Sequence, residues 1–185
     1  MHHANTLDLT RSALIIVDMQ EAFRSKIENF DKIATRISVM VRGAQLLAVP
    51  VLATEQYPKG LGHTAAEISD VLPSSTQMVE KTAFSSCGAD AFMAQLQSTN
   101  ARQLLVAGIE AHICVNQTVH DLLASGYQVH VLTDCISSRK KMDRKAAFAK
   151  MQLSGAVPSS VEMALFELMR DARHEQFREI QRLIK

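Results

Sequence analysis

The sequence has few cysteines, and none of them lies in a pattern that binds metal or indicates a disulfide framework. Cys87, Cys114 and Cys135 are its three cysteines, and they form no Cys-x-x-Cys motif or Cys/His metal spacing. An odd number of cysteines without an export signal is typical of a reduced, cytoplasmic protein. We therefore expect any special role of a cysteine to come from its reactivity.

Long hydrophobic runs and a strong net charge are also missing. No apolar stretch approaches the ~18–20 residues that span a bilayer, and the first dozen residues contain no signal-peptide core. The formal net charge is +1, which gives no indication of nucleic acid or an anionic membrane as a partner. After residue 138 the chain contains eleven lysines and arginines but only six acidic residues. We interpret this excess of positive charge as the solvated faces of C-terminal helices.

The composition that remains is that of a globular protein. Hydrophobic residues make up 47% and charged residues 21% of the 185 positions. This length fits one compact domain with a sizeable core, and no repeat or linker interrupts it. We therefore predict a single domain over residues 1–185.

Short β-rich runs alternate along the chain with longer segments of helical periodicity. The predicted strands are 13–18, 51–54, 77–81, 103–109, 128–134 and 156–159. The predicted helices are 30–48, 89–97, 114–125, a basic helix up to Ser154 and a helix opened by a capping box of Ser159 and Glu162. Alternating βα units predict an α/β fold, a three-layer αβα Rossmann-like domain with a mainly parallel six-stranded sheet. Its commonest strand order is 3-2-1-4-5-6.

Three reactive side chains fall at the carboxyl ends of predicted strands, where such sheets bind ligands. Asp18 ends the first strand, Lys81 ends the third, and Cys114 follows the fourth at the predicted start of a helix. A helix N-terminus and a nearby ammonium lower a thiol pKa, and a carboxylate within reach can take the proton. The three residues predict a nucleophile, a base and an electrostatic activator. Each also has an ordinary structural explanation: a helix cap, a surface charge and a small buried hydrophobe.

Several segments of this sequence resemble the isochorismatase-like cysteine hydrolases, a superfamily that includes nicotinamidases and N-carbamoylsarcosine amidase. The segments are ALIIVDMQEAF, EKTAFSSC and VAGIEAHICVNQTVHDLLASGYQVHVLTDCISSR. Two further segments, TEQYPKGLG and FREIQRLIK, are similar to the small isochorismatase-domain-containing proteins. The resemblance covers the chain from about Arg11 onward.

The resemblance implies roles for particular residues. It implies a catalytic triad of Asp18, Lys81 and Cys114. It also implies a non-proline cis peptide between Ile109 and Glu110, which directs the amides of Glu110 and Cys114 toward one point as an oxyanion hole. The substrate-binding residues it implies are Gln20, Phe23, Tyr57, Phe84, His112 and Ile113.

Departures from the family pattern bear on the reaction. Nicotinamidases bind a metal through an Asp-x-His segment after the second strand, whereas Glu55 and His63 in this sequence are too few and wrongly spaced for a site. We therefore expect no metal and no cofactor.

True isochorismatases lack the nucleophilic cysteine. Its presence here implies hydrolysis of a small amide or related carbonyl compound through a thioester.

Family members usually form oligomers, so the resemblance also implies a dimer or tetramer. Two other functions stay open at this point. A catalytically idle binding protein would retain the fold for interaction, and a redox-responsive protein would use a cysteine that is easily oxidised.

Overall fold

The computed structural model describes residues 3–185, so Met1 and His2 of the predicted domain lie outside the described residues. Six strands form one parallel sheet in the order β3-β2-β1-β4-β5-β6. The strands are β1 (Ser12–Val17), β2 (Val51–Gln56), β3 (Met78–Lys81), β4 (Gln103–Ile109), β5 (Gln128–Ser137) and β6 (Val157–Ser159). The predicted α/β class and strand order are confirmed.

Helices cover both faces of the sheet. They are α1 (Phe30–Leu46), α2 (Pro58–Leu61), α3 (Ala66–Ser69), α4 (Asp90–Ser98), α5 (Asn116–Ala124), α6 (Lys141–Leu153), α7 (Val161–Met169) and α8 (Phe177–Ile184). Buried residues of α1, α3, α7 and α8 form one hydrophobic cluster, and those of α4, α5 and α6 form the other. No helix in the described part of the chain combines the length and apolarity needed to cross a membrane.

The central strands are buried on both faces, as their continuous apolar sequences predict. Every residue of β1 and of β4 is buried. Because successive side chains of a strand point to opposite faces, Leu14 and Ile16 enter the α1 cluster while Ile15 and Val17 enter the α5 cluster. The carboxyl end of β1 is therefore held firmly between two cores.

Several predicted boundaries require correction. The strand predicted to end at residue 134 continues to Ser137, because its register with β4 shifts between Val106 and Gly108. The helix cap predicted at Ser159 is Ser160, whose hydroxyl accepts the Met163 N–H, while Ser159 ends β6. The segment after β2, interpreted as a loop, contains the one-turn helix α2.

Candidate active site

Asp18 follows β1 directly and is fixed by the neighbouring strand β2. Its φ of +50° is unusual for a residue other than glycine. Its N–H donates to the Thr54 carbonyl oxygen at 3.1 Å, and its Oδ1 accepts a hydrogen bond from Thr54 Oγ1 at 2.7 Å. Asp18 is only 1% exposed. These contacts hold a carboxylate in one orientation inside the protein.

Lys81, the last residue of β3, extends its side chain to this carboxylate. Lys81 Nζ donates to Asp18 Oδ2 at 2.6 Å and to Gln56 Oε1 at 2.7 Å. The carbonyl oxygens of Ala83 and Phe84 lie 3.2 and 3.0 Å from the same nitrogen. A buried ammonium is stable only when it is paired and hydrogen-bonded in this way. The Lys81 side chain thus reaches the carboxyl end of β1.

Cys114 lies in a π-helical turn, Ala111–Val115, that joins β4 to α5. Burial and, after it, the Asp18 carboxylate raise the pKa of its thiol to about 12, and the Lys81 charge partly opposes both. The lowered thiol pKa predicted from the sequence is therefore wrong for the resting site. The helical segment begins three residues before Cys114, and the Lys81 ammonium is already paired with Asp18. At rest the site holds a protonated thiol next to a carboxylate.

The turn before Cys114 is anchored through Glu110, and the peptide bond between Ile109 and Glu110 is cis. The buried Glu110 carboxylate accepts hydrogen bonds from the N–H and Nε of Arg139, at 3.1 and 2.9 Å. The Glu110 carbonyl oxygen accepts the N–H groups of Ile113 and Val115. Glu110 thus connects the turn to the segment after β5.

Gly108 allows the two halves of the site to approach each other. Its φ is +124°, and a Cβ at this position would lie 2.0 Å from the carbonyl oxygen of Val17. No side chain fits there, because real Cβ atoms do not come that close to backbone atoms. The end of β4, which leads to Cys114, therefore lies directly against the residue that precedes Asp18.

Gln20, one of the predicted substrate-binding residues, lies inside the framework of the site. Its side chain is fully buried, and its Nε2 donates to the carbonyl oxygens of Gln56 and Gly62 at 3.0 and 2.6 Å. Its Oε1 accepts the Gln56 N–H at 2.8 Å. Because these bonds all go to backbone groups, Gln20 holds the segment after β2 in place.

The three predicted aromatic residues divide into two environments. Phe23 is half-buried against the α1 cluster. Tyr57 and Phe84 are each 54% exposed. The Tyr57 N–H donates to the Lys81 carbonyl oxygen at 2.8 Å, and the Phe84 carbonyl oxygen accepts from Lys81 Nζ. The backbone of both residues therefore contacts Lys81.

His112 and Ile113, the remaining predicted pocket residues, belong to the π-helical turn. His112 Nδ1 lies 3.0 Å from Ser138 Oγ, and its Nε2 lies 3.9 Å from an Asp143 carboxylate oxygen. Ile113 is half-buried against the α5 cluster. His112 is therefore directed toward the segment that follows β5.

Glu55 and His63 were singled out from the sequence as an incomplete metal site. Glu55 Oε1 accepts from the N–H and Oγ1 of Thr64, at 2.6 and 2.8 Å, and its Oε2 lies 3.0 Å from His63 Nδ1. Within residues 3–185, no three His, Cys, Asp or Glu side chains gather as metal ligands. The donors around Glu55 are protein groups that stabilise a carboxylate.

Sequence reasoning missed two residues that hold the ion pair, Thr54 and Gln56. Both lie near the carboxyl end of β2, the strand between β1 and β3. A hydroxyl and an amide near the end of a central strand could have indicated that these residues belong to the site. The sequence prediction does not include them, because β2 carries no residue of the implied triad.

Comparison with known proteins agrees with this fold. The isochorismatase domain family matches residues 12–163, and the chain belongs to this family, whose members are isochorismatase-like hydrolases. Isochorismatase domain-containing protein 2 of Macaca fascicularis is 46% identical over 94% of this chain and 83% of its own length. The Homo sapiens protein of that name is 44% identical over the same shares. A solved structure described as the MAR1 ribonuclease of Caenorhabditis elegans has a TM-score of 0.93 at 39% identity, covering 97% of this chain and 92% of that one.

Proposed function

We propose that this protein is a metal-independent cysteine hydrolase that cleaves a small amide or related carbonyl compound through a thioester intermediate. The observation that carries the proposal is the buried Lys81–Asp18 ion pair, 2.6 Å between Nζ and Oδ2; burial and the charge of the Asp18 carboxylate together raise the pKa of the Cys114 thiol. A proposed base paired with a cation at the ends of β1 and β3, and a proposed nucleophile after β4, suit acyl transfer.

The first half of the reaction transfers the acyl group to sulfur. Because the thiol pKa is about 12, Cys114 does not ionise by itself at neutral pH. Asp18 takes the Sγ proton as Sγ forms a bond to the carbonyl carbon, and the carbonyl electron pair moves to oxygen. When the carbonyl re-forms, the bond to the leaving nitrogen breaks and Asp18 returns its proton to that nitrogen. The products of this half are an amine and a thioester.

The second half regenerates the enzyme. Asp18, again a carboxylate, takes a proton from water as the water oxygen attacks the thioester carbon. Collapse of this intermediate breaks the carbon–sulfur bond, and the proton returns from Asp18 to Sγ. The amides of Glu110 and Cys114 are the proposed donors to the oxyanion of both intermediates. Lys81 keeps its charge throughout and balances the carboxylate.

The proposed substrate surface consists of Tyr57, Phe84, His112 and Ile113, with Phe23 behind them, and Gln20 as a framework residue. We also propose that the protein forms a dimer or tetramer and that residues 1–185 form a single domain. We propose a cytoplasmic location and no nucleic acid partner. The ribonuclease description belongs to the Caenorhabditis elegans relative. The near-neutral charge of this chain favours a small substrate over RNA.

Trapping of the acyl-enzyme tests the proposal. The purified protein is incubated with a panel of small amides and carbamoyl compounds, quenched in acid and weighed by intact mass spectrometry. We expect an acyl adduct on Cys114 with at least one compound. The Cys114→Ala variant should show neither adduct nor hydrolysis, and Cys87→Ser, the matched control, should behave like wild type. Hydrolysis that survives in Cys114→Ala would overturn the proposal. A Cys114 adduct without hydrolysis would favour the binding-protein alternative.

A further inference from the structure

A small hydroxyl network lies behind the Asp18 carboxylate, and its nearest member is Thr54. The Thr54 hydroxyl donates to Asp18 Oδ1 at 2.7 Å, and its carbonyl oxygen accepts the Asp18 N–H at 3.1 Å. Thr54 is 1% exposed, so water does not compete for these bonds. One residue therefore fixes both the backbone and the side chain of Asp18.

The direction of the hydrogen bonds in this network follows from the chemistry of its end group. A carboxylate only accepts, so the single hydroxyl proton of Thr54 is committed to Asp18. Ser86 Oγ lies 3.5 Å from Thr54 Oγ1, longer than a normal hydrogen bond, and accepts from Thr118 Oγ1 at 3.3 Å. Thr118 Oγ1 also accepts the Ser86 N–H at 2.9 Å. The hydroxyl dipoles of Thr118, Ser86 and Thr54 thus point toward Asp18.

We propose that Thr54 is a positioning residue for the reaction, which holds Asp18 in its carboxylate form and in the orientation that faces Cys114. This inference rests on the proposed function, in which Asp18 is the base. Lys81 occupies Oδ2 and Thr54 occupies Oδ1, so the carboxylate cannot rotate, and each oxygen keeps a further lone pair for the thiol proton. Hydrogen bonds to a carboxylate favour its ionised form.

Glu55, the residue after Thr54 on β2, and its partner Thr64 provide a matched control. Thr64 Oγ1 donates to Glu55 Oε1 at 2.8 Å, and Thr64 is also buried. This pair repeats the threonine–carboxylate contact of Thr54 and Asp18. Neither Thr64 nor Glu55 makes a hydrogen bond to Asp18, Lys81 or Cys114 among the described residues.

The test measures the rate of Cys114 alkylation by iodoacetamide between about pH 4 and 9, the range in which carboxyl groups and histidines titrate. Peptide mass spectrometry isolates the signal of Cys114. In wild type we expect reactivity to fall at acid pH as Asp18 becomes protonated. In Thr54→Val this acid limb should move to higher pH, because the carboxylate loses a donor. Thr54→Ser should restore the wild-type limb, and Thr64→Val should leave it unchanged.

Other results would distinguish a purely structural role of Thr54 from a failure of the proposed function. If Thr54→Val lowers the melting temperature but leaves the acid limb in place, Thr54 is only structural and the inference is overturned. An equal shift in Thr64→Val or Thr54→Ser overturns it too. If Thr54→Val does not fold, Thr118→Val replaces it, with a smaller shift in the same direction expected and an unmoved limb counting against the network. An Asp18→Asn variant that keeps the wild-type plateau near neutral pH, with the wild-type acid limb below it, contradicts the proposed function itself.

Discussion

Two buried carboxylates at the same edge of the sheet, Asp18 and Glu55, have different surroundings. Asp18 is paired with the fully buried ammonium of Lys81, and burial together with the Asp18 charge raises the pKa of the Cys114 thiol. Glu55 is bonded to Thr64 and to a histidine whose side chain is 81% exposed. Neutral donors and a solvated ring are enough to keep a carboxylate buried. The additional cation and thiol around Asp18 therefore indicate chemistry.

Adjacent residues of β2 contribute to both environments. Thr54 and Glu55 follow each other, so their side chains point to opposite faces of the sheet. Thr54 reaches Asp18, while Glu55 reaches Thr64. The two environments can therefore be compared with Thr54→Val and Glu55→Gln, which change adjacent positions of β2.

The largest expected effect is that of Asp18→Asn on turnover. The variant keeps the size of the side chain but cannot accept the thiol proton, so the chemical step should slow by about 10²–10⁴-fold. Alkylation of Cys114 should also change its pH dependence. In wild type it should vary little near neutral pH, because the proton moves to Asp18. In the variant it should rise about tenfold per pH unit, because the thiol then loses its proton to solvent.

Glu55→Gln is the control for this measurement, and we expect its turnover and its alkylation profile to match wild type. Equal losses in the two variants would show that any buried carboxylate at this edge supports the fold alone. The distinction drawn between Asp18 and Glu55 would then be wrong.

The next effect concerns stability. Lys81→Met removes the ammonium and leaves the Asp18 carboxylate buried without its counter-charge, which should lower the free energy of unfolding by about 3–5 kcal/mol. Glu55→Gln keeps an acceptor for Thr64 and should cost about 1 kcal/mol. Urea denaturation at neutral pH measures both values. Similar losses from the two variants would contradict the assignment of the ion pair as the distinctive element.

A third prediction compares two cysteines and sharpens the role of Asp18. Burial raises the thiol pKa of Cys87 to about 11 and that of Cys114 to about 12. Ionisation alone would thus make Cys87 the more reactive thiol by about tenfold. With Asp18 as base we expect the opposite order at neutral pH, and Asp18→Asn should reverse it. Competitive labelling followed by peptide mapping measures the ratio, and faster labelling of Cys87 in wild type would count against base assistance.

The smallest expected effect is that of Thr64→Val. Loss of its hydroxyl removes one of several donors to Glu55, which should cost about 0.5–1 kcal/mol in the free energy of unfolding. Turnover and Cys114 alkylation should stay at the wild-type level. Thermal unfolding and an activity assay on the same preparation check both parts, and a loss of activity without a loss of stability would mean that the two carboxylates are coupled.

Much of the fold was predictable because its signals are local. Continuous apolar runs such as β1 and β4 indicate strands buried on both faces. The βα alternation predicts a parallel sheet, whose commonest strand order is the one observed. Boundaries were less accurate where long-range contacts decide them. The extension of β5 to Ser137 depends on its register with β4. The helix cap depends on which of two adjacent serines, Ser159 or Ser160, directs its hydroxyl to the first turn of α7.

The candidate site stays a prediction in its members, and its predicted thiol pKa is wrong. Strand ends and the resemblance indicated Asp18, Lys81 and Cys114, and the structure pairs Asp18 with Lys81. The thiol pKa could not be obtained that way, because it depends on burial and on the pairing of Lys81 with Asp18. Thr54 and Gln56 were missed because a hydroxyl and an amide have no reactivity of their own.

The close approach of β4 to β1 at Gly108 has a consequence for how the protein acquires its reactivity. Asp18 and Lys81, the proposed base and cation, come from the ends of β1 and β3 on one side of this contact, and Cys114, the proposed nucleophile, comes from the chain that follows β4 on the other. Neither half of the sheet contains a complete site. The chemistry of Cys114 is therefore a property of the docked halves, and its labelling rate during refolding would report the moment at which they join.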